Sequence, residues 1–198
     1  ILRHADLARG TLTAWSSEPS GLIRLTASHL VAEGFLSASL ARFMGRWPQV
    51  SIDADFTVAV ADLLRDDLDV AIRAGSSPPP SMYAKHLGSV RPVCCASPEY
   101  LASAERIPHV LSLSQHPVLV YGPSSTSMRW HFQRAGEKVE VEVHARLRAD
   151  SAQVAREACL AGLGILRIPR FGVQAQLSSG ALVEVCADWK QPDAQIWA

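Results

Sequence analysis

The chain has 198 residues, 48% of them hydrophobic, enough to bury a sizeable core as one domain or as two small lobes. Its 19 acidic and 19 basic side chains cancel, and no basic tract marks a phosphate-binding surface, so these residues alone are a poor nucleic-acid binder. No uninterrupted apolar run approaches the roughly 20 residues of a membrane span, and Ile1-Leu2-Arg3-His4-Ala5-Asp6 lacks the apolar centre of a signal peptide; the expectation is a soluble, cytoplasmic protein with no membrane partner.

Apolar residues at 1, 2, 5, 7, 8 and 12 give the first thirteen residues a helical pattern that weakens at Gly10, and Ser16-Ser17-Glu18-Pro19-Ser20-Gly21 is a turn-rich connector. Leu22 to Ala27 alternates as a strand and breaks into Ser28-His29. From Leu30 to Trp47 the spacing of Leu36, Leu40, Phe43 and Trp47 predicts a helix that must stop at Pro48, which lacks the N–H and the free φ of a helix interior. Val50 to Phe56 alternates as a strand, Val60 to Leu64 is a short helix, and Asp69 to Gly75 is an apolar strand closed by glycine. This βαβαβ order predicts a parallel sheet that binds its ligand beyond the strands' carboxyl ends.

Three prolines stiffen the loop Ser76 to Ser81, Met82 to Val90 reads as a short strand, and Arg91-Pro92 marks a crossing into a second unit. There Val93 to Ala96 is a strand, and Ser97-Pro98 opens a helix as N-cap and first position. Val118 to Tyr121 and Met128 to Gln133 are strands, and Glu140 to Arg148 alternates with one wet face. Ser151 to Leu160 is a helix, Gly164 to Ile168 a strand, Phe171 to Leu177 a short helix, Ala181 to Val185 a strand, and Gln195-Ile196-Trp197 the returning strand.

The wording of these segments resembles the effector-binding domain of LysR-type transcriptional regulators. The fragments that carry the likeness are Arg46-Trp47-Pro48-Gln49-Val50, Asp69-Val70-Ala71-Ile72-Arg73-Ala74-Gly75, Leu87-Gly88, Cys95-Ala96-Ser97-Pro98-Glu99-Tyr100-Leu101 and Ala161-Gly162-Leu163-Gly164-Ile165, in this order over about residues 10 to 198. The resemblance implies an α/β fold of two Rossmann-like lobes with a hinge and an inter-lobe cleft, of the type 2 periplasmic-binding-protein kind. It implies that 1–15 is the end of a linker helix, that 21–91 with 194–198 forms lobe I, and that 92–190 forms lobe II. The implied partners are a small-molecule effector, a second copy of the chain in an antiparallel dimer (a tetramer at full length), and DNA reached only through an N-terminal winged helix-turn-helix outside these residues.

No chemistry competes with a binding role. Gly-x-Ser-x-Gly is absent, the seven histidines show no zinc spacing, and Gly162-Leu163-Gly164 follows a helix and lacks the third glycine of a dinucleotide loop, so it reads as a helix C-cap. No catalytic residue, metal or cofactor is expected. Cys94 and Cys95 point to opposite faces of one strand, and the four cysteines read as buried small hydrophobes rather than a redox switch.

Candidate effector residues lie where strands end. Ser28 and His29 precede a helix whose unpaired N–H groups favour an anion, although Ser28 also suits a plain N-cap. After the next strand the chain carries Thr57 and Val58 where relatives are more polar, which implies an effector with an apolar body. Tyr121 leads into the hydroxyl-rich Pro123, Ser124 and Ser125, a loop that lines the cavity in the family, and Asp150-Ser151 starts another helix facing the same space. Arg167 stands where relatives have an apolar residue; a buried arginine needs a carboxylate, from the protein or from a ligand. Arg73 reads as a structural ion pair. The alternative reading is a solute-binding protein of a transport system, which shares the two-lobe cleft, and an enzyme would need a constellation that is absent.

Overall fold

A computed structural model describes residues 18–57, 68–75, 78, 82–122 and 127–198. The expected linker helix, the Val60 to Leu64 helix, the triple-proline loop and the candidate residues Val58, Pro123, Ser124 and Ser125 lie outside them.

β1 (Gly21–Ala27) is exposed at its start and fully buried over Leu25, Thr26 and Ala27, so it drives its carboxyl end into the protein. It is flanked in parallel by β2 (Val50–Phe56) and β3 (Val70–Gly75). Between β1 and β2 runs one helical stretch that begins at His29–Val31, passes through a π-helical turn over Ala32–Leu36 and continues as Ser37–Arg46. The extra backbone slack of the π turn surrounds Gly34, where a Cβ would come within 2.5 Å of the Phe171 ring. The helix ends as Pro48 predicts: Trp47 leaves helical geometry while its N–H still donates to the Phe43 carbonyl at 3.0 Å.

The first sheet is completed by β4 (His86–Val90) and by β11 (Ala194–Trp197), which runs antiparallel to both β3 and β4 and gives the order β2-β1-β3-β11-β4. Only Arg91 separates β4 from β5 (Pro92–Ala96), the start of a second sheet. That sheet contains β6 (Val118–Tyr121), β7 (Ser127–Arg134), β8 (Glu137–Ala149), β9 (Ile165–Pro169) and β10 (Val183–Val185) in the order β10-β5-β9-β6-β8-β7. β6 is parallel to β8, which it reaches through β7, and to β9, which follows the helix Ala152–Leu160, while β7 and β8 form a hairpin. Its two-residue turn, Ala135 and Gly136, has positive φ at both positions, the primed geometry that matches strand twist.

Alternate residues of the second sheet feed two separate cores. Val118, Val120 and Ile165 pack with Trp130, Phe132 and Val141 on one face; Leu119, Leu166 and Ile168 pack with Ala152, Ala155 and Cys159 of the helix Ala152–Leu160 on the other. That helix ends with Leu163 N–H on the Ala158 carbonyl and Gly162 at φ 71°, the C-cap expected of the Gly162-Leu163-Gly164 run. Sequence and structure differ in detail at four places. The expected Phe171 to Leu177 helix is a 3-10 turn, Arg170–Val173, followed by a helix, Gln174–Ser179, because Val173 leaves helical backbone angles. The strands expected from Met82 and from Ala181 begin only at His86 and Val183. A 3-10 helix at Val110–Gln115, which buries Val110 and Leu113, had no counterpart in the sequence reading.

Candidate functional site

The carboxyl ends of β1 and β2 meet through backbone: Thr57 N–H donates to the Ala27 carbonyl at 2.8 Å, which sets Thr57 beside Ser28. Ser28 caps the long helix, its Oγ accepting from Val31 N–H at 3.3 Å. His29 is exposed, its ring tilted against Phe56 at 6.4 Å. Arg73 fixes this corner from behind, donating to the Thr57 carbonyl and, at 2.8 Å, to Thr26 Oγ1. Burial lowers the Arg73 pKa and the attraction of Asp55 opposes that shift. Where an ion pair was expected, Arg73 is held by hydrogen bonds to Thr26 of β1 and to Thr57 just past β2, with Asp55 contributing only a field.

In the second sheet, β6 and β8 end side by side, Gly122 N–H donating to the Ala149 carbonyl at 2.9 Å, with Arg148 Nη1 on the Gly122 carbonyl at the same distance. Asp150 is exposed, and Ser151 caps the helix Ala152–Leu160 through Val154 N–H at 3.4 Å.

Tyr121 approaches the other end: the Ser28 side chain and the N–H of Leu30, one of the donors of the first helical turn, both act to lower the pKa of its phenol. Burial raises the Tyr121 pKa, Ser28 and Leu30 pull it back, and the negative fields of Glu33 and Asp150 raise it. One oxygen therefore sits at the helix start where an anion would be favoured. Of the expected site residues on the other strands, Ser28 and, through its charge, Asp150 lie close enough to Tyr121 to act on its phenol. Below it, Leu30 enters the core of the second sheet, and Phe35 meets Phe171 edge-on at 5.7 Å. Sequence reading passed over Tyr121 because a tyrosine ending a buried strand looks like core; the signal was its place directly before the hydroxyl-rich loop.

The structure does not bring Arg167 into this group. On β9 it pairs in register with Cys94 and Val120, whose side chains lie on the face away from the helix Ala152–Leu160. Its Nε donates to Gln191 Oε1 at 2.6 Å and its guanidinium lies over the Trp130 ring at 5.5 Å. Among the described residues no carboxylate pairs with it; an amide oxygen and an aromatic face take that role, and burial lowers its pKa. The neighbouring Cys94 thiol is pushed up to about 12, chiefly by burial, with the Arg167 charge pulling the other way. Cys94, Cys95 and Cys159 are buried and all four cysteines are free. Among the described residues no His, Cys, Asp and Glu cluster could hold a metal, and no helix is long and apolar enough to cross a membrane.

Comparison with known proteins gives a consistent picture. Residues 16–198 match the family described as LysR substrate binding domain. An HTH-type transcriptional repressor of Pseudomonas aeruginosa strain UCBPP-PA14 is 29% identical over 96% of this chain and 60% of its own length. The HTH-type transcriptional regulator PtxR of Pseudomonas aeruginosa is 27% identical over 100% of this chain and 64% of its own. The chain therefore spans somewhat under two thirds of the curated relatives it matches. Among solved structures, the full-length Vibrio cholerae virulence activator AphB superposes with a TM-score of 0.82 at 29% identity, covering 99% of this chain and 67% of that one. The regulatory domain of AphB from Vibrio vulnificus gives 0.76 at 28% identity, with 89% of each chain covered. These relatives are regulators rather than transport proteins or enzymes, and the two sheets joined by two crossings are the type 2 periplasmic-binding-protein architecture of their regulatory domains. The chain belongs to the LysR family as its substrate-binding, that is effector-binding, domain.

Proposed function

We propose that this domain senses a small organic anion between Ser28, His29 and Thr57 on one side and Tyr121, Asp150 and Ser151 on the other. Val58 and the Pro123, Ser124 and Ser125 loop, by their place in sequence, complete the lining. The lobes are 21–91 with 194–198, and 92–190, hinged where the chain crosses at Arg91 and again before β11. The observation that carries this reading is the helix start capped by Ser28, with the Tyr121 phenol close enough for Ser28 and the Leu30 N–H to lower its pKa: the first-turn donors there favour an effector carboxylate over a neutral phenol. An acid that displaces Tyr121 from the helix start shifts the equilibrium between lobe arrangements by its differential affinity for the two states. Arg167, occupied by Gln191 and Trp130, acts as a support of the second sheet rather than as the effector's counter-charge.

The whole protein is then a cytoplasmic transcription regulator that reaches DNA through a winged helix-turn-helix preceding this domain. It works as a dimer in which the helix Ser37–Arg46 of one copy packs on the helix Ala152–Leu160 of its mate. In support, Phe43 is 37%, Met44 44% and Val154 51% exposed, apolar area that association would cover. Calorimetry with a panel of carboxylates and their matched neutral amides tests the sensing role. Acids should bind more tightly, and Ser28→Ala should weaken the best of them by about 1 kcal/mol. Equal affinity for acid and amide would remove the anion from the reading.

A further inference from the structure

A groove of about 730 Å³ lies away from the Tyr121 site, against the outer face of the β7–β8 hairpin and the chain segment returning to the first sheet. Its floor follows from strand register. Gln133 of β7 pairs with Lys138 of β8 on one side, and on the other it exchanges backbone hydrogen bonds of 2.7 and 2.8 Å with Lys190. Directly paired residues of adjacent strands project to the same face, and strands lie roughly 4.8 Å apart. Lys138, Gln133 and Lys190 therefore form a row with two ammonium groups flanking one amide. One step along, Glu140 and His131 form the next row. The opposite face of the hairpin, Phe132 and Val139, belongs to the core, so the charged row must face out.

The electrostatics of the groove are lopsided. Glu140 is matched by Arg129 and His131, each at 3.5 Å. Arg134 is matched by Asp188 at 2.6 Å and by the Trp189 ring at 4.3 Å. Lys138, Lys190 and Arg91, all exposed and all lining the groove, have no side-chain hydrogen bond or ion pair among the described residues, and Asp193 is the one lining carboxylate without a cation of its own. Three uncommitted cations against one carboxylate favour an anion, and a groove of this size accepts a small molecule.

We propose that this groove binds a small dicarboxylate, one carboxylate on Lys138 and the other on Lys190, with the Gln133 amide between them and Arg91 closing the side. The roughly 10 Å between the outer strands of the row is bridged because lysine stems are flexible and converge on a span of four carbons. The site is separate from the effector cleft, since Ser28, Thr57, Asp150 and Ser151 do not line it.

Calorimetry and amide chemical-shift mapping of the 198-residue chain at low ionic strength, with succinate, its monoamide succinamate and neutral succinamide, test the proposal. Succinate should bind one per chain and about tenfold more tightly than succinamate, succinamide not measurably, with shifts at Gln133, Lys138 and Lys190. Lys138→Gln or Lys190→Gln should each bring succinate down to the affinity of succinamate, because each removes one end of the grip. Ser28→Ala should leave succinate binding at this site unchanged, which separates it from the effector cleft. The proposal is overturned if succinate and succinamate bind alike, if neither lysine variant alters succinate affinity, if shifts gather at Ser28 and Ser151 instead, or if no binding is seen at millimolar succinate.

Discussion

The second sheet is covered on both faces, whereas the described part of the first sheet gathers a single core. Residues 118 to 120 show the difference, with Val118 and Val120 in one cluster and Leu119 in the other, each nearly free of solvent. In the first sheet, Leu25, Ala27, Ile72 and Ile196 pack with Val31 and Leu36 on one side, and β2 alternates between exposed and half-buried residues. The helix Ser37–Arg46 has no buried residue. The second sheet's cores are built almost wholly from its own residues, with Leu30 the one buried contribution from the first unit, whereas the helix Ser37–Arg46 leaves Phe43 and Met44 exposed among the described residues.

The largest expected effect probes the tight packing of the second sheet. A Cβ at Gly164 would stand 2.3 Å from the Pro117 carbonyl oxygen, with φ at 150°, and neither backbone atom can yield cheaply. Gly164→Ala should cost about 3 to 5 kcal/mol in chemical denaturation. Gly88 in β4 has almost the same φ, 151°, but nothing within 4 Å of its Cβ position; Gly88→Ala should cost about 1 kcal/mol, the backbone strain alone. Equal losses would break the contrast between the sheets.

A second pair of variants separates core from interface. Leu119→Ala removes a fully buried side chain and should lower stability by about 3 kcal/mol with sedimentation unchanged. Phe43→Ala should alter the stability of the isolated chain by less than about 1 kcal/mol while shifting sedimentation toward monomer. A Phe43 variant that sediments like the parent would remove this helix from the dimer.

All four cysteines accompany the second sheet, so its alkaline sensitivity should exceed that of the first. Burial pushes the Cys94 thiol to about 12 and the Cys186 thiol to about 11. The folded chain then holds protons that the unfolded chain releases near pH 8.5. The associated stability is complete below that pH and is lost as pH rises toward 11 and 12, about 2 kcal/mol from Cys94 by pH 10. Cys94→Ala should flatten the fall of the denaturation midpoint between pH 8 and 10, and an unchanged slope would count against the thiol.

The smallest effect is at the hairpin that floors the groove. Ala135 holds φ 48°, which costs an alanine more than an asparagine in a primed turn, so Ala135→Asn should raise stability by roughly 0.5 kcal/mol, read from the thermal midpoint.

What the sequence made legible is what single residues enforce. Pro48 stops a helix whatever surrounds it, Ser97-Pro98 starts one, and Gly162 to Gly164 turns the chain because side chains would collide. The succession of strands and helices along the chain followed from alternation and spacing, and the two-unit division from the family likeness, whereas the order of strands within each sheet did not. The direction in which a polar side chain points inside a strand was not legible. Arg167 was expected to seek a carboxylate, and it met Gln191, 24 residues onward, and Trp130 across the sheet, partners fixed only by tertiary register. Tyr121 escaped for the same reason, since the groups that act on its phenol, Ser28 and the Leu30 N–H, belong to the helix start that follows β1 in the other unit. The row Lys138, Gln133 and Lys190 joins a hairpin to a distant segment, and no local pattern reports such a pairing.

β11 lies between β3 and β4, and β4 touches the first sheet only through it. Residues 194–197 are therefore the keystone of a sheet whose other strands emerge from the ribosome more than a hundred residues earlier. The stretch from β5 to β10 is contiguous in sequence and supplies nearly all of the two cores of the second sheet, with Leu30 and Trp189 added from outside it, whereas β4 has no partner in the first sheet until β11 is made. Late, long-range strand insertion is the slow kind of folding step. The first sheet is complete only once this four-residue strand is in place, because it alone links β4 to β1, β2 and β3 among the described residues.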